Sequence, residues 1–173
     1  MNNLLDKMFI KRFCLPIDSD ITLYENGNKN INSCLCGHYN HVSCVLKVKG
    51  IFEKNARILS YGINIMGDSE GLQPGIHAEH DAIRKLLPLK RNKRLENINI
   101  LVIRLSGKNQ LQSSKPCFNC IEMMKTLPIT LGYKIKNVYY SNTDRKIVKT
   151  TLRNLENEEI HYSRYYRKND NKI

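Results

Sequence analysis

Cys117 and Cys120 stand three residues apart in "SKPCFNC", residues 114–120. Proline is tolerated in the first turn of a helix, so Pro116 predicts a helix start at this point. Three-residue spacing on a helix turns both sulfurs to one face. A helix N-terminus also favours the thiolate, the form that binds a metal. Zinc takes nitrogen and sulfur ligands tetrahedrally, and a catalytic zinc uses three protein ligands and leaves the fourth position open. The thiol pair therefore needs one more ligand. Residues 75–82, "GIHAEHDA", offer His77 and His80, with Glu79 and Asp81 among them. Nothing within those eight residues chooses between a ligand, an acid–base group and helix surface.

The elements that must position these groups follow from patterning. Residues 42–48, "VSCVLKV", are rich in β-branched side chains and predict a strand; residues 57–66 predict a second, antiparallel to it. The turn formers of 67–75 make a loop. A helix is expected from His77 to Leu87, because Ala78, Ala82 and Leu86 recur every fourth residue, as do Glu79, Ile83 and Leu87. Pro88 and the basic run 90–94 end it. His80 and Asp81 are expected on its surface or behind the site rather than as ligands. Residues 98–105, "INILVIRL", form a near-continuous apolar run, as in a strand buried on both faces. Residues 106–115 read as a polar loop. The second helix is expected from Pro116 to about Thr126, stopping before Pro128. Residues 137–141 predict a fourth strand. Ile147, Val148, Leu152 and Leu155 lie at helical spacing and predict a last helix. Strands alternating with helices imply parallel pairing, and the opening pair makes the sheet mixed. The expected architecture is α/β, a three-layer α/β/α sandwich with a mixed central sheet.

His77 and Cys117 thus both fall at predicted helix starts. Together, "HAEHDAI" and "SKPCFNC" match the zinc deaminase signature H-x-E followed by P-C-x-x-C. With the strand end "YGIN", the chain resembles the cytidine/deoxycytidylate deaminase superfamily over about residues 42–142. The resemblance implies a cytidine deaminase-like fold with Zn2+ held by His77, Cys117 and Cys120. It makes Glu79 the proton shuttle. It places Asn64 at the substrate's sugar, the Ala78 amide at the pyrimidine carbonyl, and the backbone around Ser114 at the base edge. The activity it implies is hydrolytic release of ammonia from a cytosine nucleoside or nucleotide, cytidine or dCMP being the type. Other amino-substituted rings share the motif. A homo-oligomer is also implied.

Composition bounds the rest. The chain has 173 residues, 41% of them hydrophobic, enough for one domain with a real core. Residues 1–30 form an N-terminal extension with no assigned role, 31–160 the zinc-binding domain and 161–173 a basic tail. No apolar run approaches the ~20 residues of a membrane span, and the N-terminus lacks a signal peptide's apolar core. An intracellular, cytoplasmic protein without membrane partners is expected. Six cysteines then read as ligands or buried thiols rather than disulfides. Cys34, Cys36, His38, His41 and Cys44 offer donors for a second, structural metal, although their spacing fits no common zinc module.

The net charge of +12 suits a polyanion as well as a solvated surface. Residues 161–168, "HYSRYYRK", interleave tyrosine and arginine. They read as an amphipathic last element or as a stacking surface for single-stranded nucleic acid. Two alternatives therefore stand beside the small-molecule enzyme. One is a deaminase of RNA or single-stranded DNA. The other is a non-catalytic, zinc-stabilised binding or structural protein on the same fold.

Overall fold

The computed structural model describes residues 40–47, 57–65, 67, 75–89, 95–106, 110–159 and 161–163. Among these residues six strands and three helices follow one another: β1 (Asn40–Lys47), β2 (Arg57–Ile63), α1 (Ala78–Arg84), β3 (Glu96–Leu105), β4 (Leu111–Gln112), α2 (Phe118–Thr130), β5 (Tyr133–Ser141), β6 (Ile147–Thr150) and α3 (Leu152–Asn157). The sheet runs β2-β1-β3-β5-β6, with the short β4 beside the end of β3. β1 is antiparallel to both β2 and β3, and β3 is parallel to β5. Parallel neighbours need a crossover, and α2 supplies it. The sheet is therefore mixed, as the pattern predicts.

β3 shows why its sequence is apolar throughout. Ile98, Ile100 and Val102 join one buried cluster with Ala82 and Ile83 of α1, Met124 and Leu127 of α2, and Leu155 of α3. Leu101, Ile103 and Leu105 join a second with Val42, Cys44, Leu46 and Tyr139. Alternation along the strand sends neighbours to opposite faces. All three helices contribute to the first face. The second cluster contains strand residues only, so the other helical layer of the expected sandwich is not found among the described residues. No described helix is long and apolar enough to cross a membrane.

Several element boundaries differ from expectation. The second helix does not stop before Pro128 but runs through it to Thr130. Proline removes one backbone donor, and the turn beyond it is closed by other bonds. Thr130 Oγ1 donates to the Thr126 carbonyl at 3.0 Å, and the Leu131 amide to the Leu127 carbonyl at 3.0 Å. Gly132, at φ 81°, then ends the helix in the left-handed conformation that glycine adopts without strain. β5 begins at Tyr133, four residues before the predicted start. Ile147 and Val148 are not helical: they pair antiparallel with Ser141 and Tyr140. Their β-branched side chains suit that strand. Only then does Thr151 cap α3, its side chain accepting from the Asn154 amide. Within the predicted loop 106–115, Leu111 pairs with Leu105.

Candidate metal centre

α1 lies unusually close to the sheet. A Cβ on Gly62 would fall onto the backbone of Ala78, Asp81 and Ala82, so only glycine permits this approach. Ser60 Oγ donates to the Ala82 carbonyl at 2.7 Å, and the Ile63 amide to Asp81 Oδ2 at 3.1 Å. Asp81 corrects the surface assignment. Its side chain has no accessible area and holds Arg84 at 2.8 Å and Lys85 at 2.7 Å, both half exposed. Burial alone would raise its pKa, but bonds from Lys85 and the Ile63 amide, with the charges of Lys85 and Arg84, hold it below the usual aspartate value. His80 is exposed, as expected.

The segment before α2 is fastened by buried serines. Ser114 Oγ donates to the Val102 carbonyl at 2.8 Å and accepts from the Ser141 amide at 2.9 Å. The Ser114 amide donates to the Ser141 carbonyl at 2.8 Å. Beyond Cys117, the Phe118 amide donates to the His161 carbonyl at 2.8 Å, and the Phe118 ring packs on Tyr162 with centroids 5.5 Å apart. Tyr165, Tyr166, Arg164 and Arg167 lie outside the described residues.

These anchors bring the two helix starts together. His77 is the N-cap of α1 and Cys117 the N-cap of α2, with Cys120 in the first turn. His77 Nδ1 lies 3.3 Å from Cys117 Sγ and 3.3 Å from Cys120 Sγ; the sulfurs are 3.7 Å apart. Donor atoms sharing one tetrahedral ion at bond lengths near 2.0–2.3 Å stand roughly 3.3–3.8 Å from each other. The cluster could therefore hold one metal ion. Without an ion, the three groups share protons, and the electrostatics favour the ligating form at Cys117. Cys117 is held far below the usual thiol range by its hydrogen bond with Cys120, then by His77, against burial. Cys120 is pushed up, because the pair shares one proton and the second loss is opposed. The Cys117 thiol also raises the pKa of His77.

Glu79 is 1% exposed, and its carboxyl interacts with the Cys120 thiol. Oε2 is buried with no hydrogen-bond partner among the described residues. Burial pushes the carboxyl pKa up to about 7. Such a group can both take and return a proton near neutral pH.

The remaining predicted residues take varied positions. Asn64 is exposed, its amide donating to the His41 carbonyl at 3.1 Å. Ala78 is fully buried beneath the His77 turn. Ser114 is 2% exposed within its hydrogen-bond network. Of the suggested second metal cluster, Cys34, Cys36 and His38 lie outside the described residues. His41 and Cys44 are three apart on a strand and so face opposite sides of the sheet, which keeps them from sharing an ion.

No protein-family model matches the chain, and none of the curated proteins matches it significantly.

Proposed function

We propose that the protein is a zinc-dependent hydrolytic deaminase of a cytosine nucleoside or nucleotide. The observation that carries this reading is Glu79, buried and without a partner for Oε2 among the described residues, beside a histidine and two cysteines with mutual spacings suited to one ion. Two sulfurs and one nitrogen are a donor set zinc favours. When bound, zinc would polarise a water molecule and make it nucleophilic at neutral pH. Glu79 takes a proton from the attacking water and returns it to the ring nitrogen next to the amino-bearing carbon. A second transfer lets the amino group leave as ammonia, and the carbon keeps the water's oxygen as a carbonyl. His77, Cys117 and Cys120 would hold the ion. Asn64, Ala78 and Ser114 keep the substrate roles the resemblance gives them, and a homo-oligomer is part of the same proposal.

The test is a panel of cytidine, deoxycytidine, their 5′-monophosphates, guanine and single-stranded oligonucleotides, assayed for ammonia release before and after chelation and zinc return. Release that falls on chelation and recovers with zinc supports the reading. No release by zinc-loaded protein from any compound overturns it. The net charge of +12 supports a second substrate class, RNA or single-stranded DNA. Preference for the oligonucleotides, weakening steeply with salt, would favour that class.

A further inference from the structure

β1 brings another buried polar atom to the same end of the sheet. Alternation puts His41, Ser43 and Val45 on one face of the strand. Val45 packs in the cluster that contains Ala82, Cys117 and Cys120. His41 therefore faces the helical layer bearing the candidate metal centre. Its ring lies close enough to His77 and Cys117 for their charges to act on it, as does that of Arg104, its neighbour across the β1–β3 ladder. His41 Nε2 is buried and has no hydrogen-bond partner among the described residues, the same condition as Glu79 Oε2. Such atoms destabilise a fold unless something else satisfies them. The position is also where a ligand is expected. Ligands of open α/β sheets bind beyond the carboxyl ends of the strands. β2 and β3 both end beside the start of β1, Ile63 pairing with Val42 and Leu105 with Asn40.

We propose that His41 Nε2 hydrogen-bonds the substrate over the metal centre, recognising an uncharged polar group such as a sugar hydroxyl or ring carbonyl. The proposal rests on the deaminase reading and adds to it a residue that contacts substrate. Burial, with His77 and Arg104 nearby, pushes the imidazole pKa down to about 4. The ring is then neutral at physiological pH and presents a single donor or acceptor at Nε2, which suits a dipole better than a phosphate.

The experiment uses the zinc-loaded full chain with cytidine, deoxycytidine and their 5′-monophosphates as probes. His41→Leu is expected to raise KM for the best substrate roughly tenfold while changing kcat by less than about threefold. Its melting temperature should equal or exceed that of the wild type, because an unsatisfied buried atom has been removed. His41→Gln keeps a hydrogen-bonding end and should recover part of the affinity. Affinity and stability moving in opposite directions is a pattern that a space-filling histidine would not give. A wild-type KM in both variants, or a KM that rises only in step with lost stability, overturns the proposal while leaving the deaminase reading intact. If His41→Leu does not fold, KM of His41→Gln decides alone, a raised value supporting the contact and a wild-type value overturning it. A wild type that releases no ammonia from any of the four probes overturns the reading for free cytosine nucleosides and nucleotides, and this proposal with it.

Discussion

His77, Cys117 and Cys120 each offer one donor atom to the cluster. Replacing Cys117 with Ser should lower zinc affinity at least about tenfold, because a harder, less acidic donor replaces a thiolate. Metal counting after dialysis against a competing chelator checks this. Asp81 carries a prediction of a different kind. Its native pKa is depressed, so its contribution is fully present above the ordinary aspartate range near pH 4 and lost as pH falls through the lower native value. Asp81→Asn should cost about 2 kcal/mol at pH 7, with the exposure of Arg84 and Lys85 limiting the loss. Urea midpoints measured from pH 7 downward should show the two proteins converging in acid. A gap independent of pH would contradict the assignment. The three grouped donors and the acid beside them could be picked out in sequence because H-x-E and C-x-x-C fix both residue type and spacing. Asp81 could not. Periodicity assumes a helix with one inward stripe, whereas α1 is wedged between β2 and the cluster and buries Glu79 and Asp81 on different sides.

Among the elements, α1 is placed by a single missing side chain. Gly62→Ala would put a methyl onto the backbone of Ala78 and Ala82 and push α1 off β2. His77 and Glu79 move with the helix. The substitution should lower the melting temperature and weaken metal binding together, by about 2 kcal/mol or more in stability, as overpacking does. Calorimetry and zinc titration on the same variant check it. Intact metal affinity in a folded Gly62→Ala protein would show that the close approach does not position the site. Sequence reasoning reads glycine in a strand as an irregularity or a close approach, but it cannot say which helix approaches. It misjudged Pro128 for a related reason. A proline costs the one donor it removes, and the helix resumes beyond it, where the Thr130 hydroxyl and the Leu131 amide bond the Thr126 and Leu127 carbonyls. Ile147 and Val148 looked helical only because their spacing to Leu152 and Leu155 spans a strand and the start of a helix.

At the scale of the whole molecule, the site is a product of topology. Both helices that carry the grouped donors start at the end of the sheet where β2, β3 and β5 finish, so residues forty positions apart converge. The mixed sheet was legible from the order of the elements. The end at which β1 begins was not, and that is why His41 escaped notice as a neighbour of the centre. The claim that unites residue, element and fold is that Glu79 moves protons for a reaction at this cluster. It is tested most directly by ammonia release from the best cytosine substrate, comparing wild type with Glu79→Gln at equal bound zinc. Glu79→Gln should keep one metal per chain and its fold, yet lose a factor of roughly 10² to 10⁴ in kcat, the range of a lost acid–base group. Equal turnover by the two proteins would contradict it.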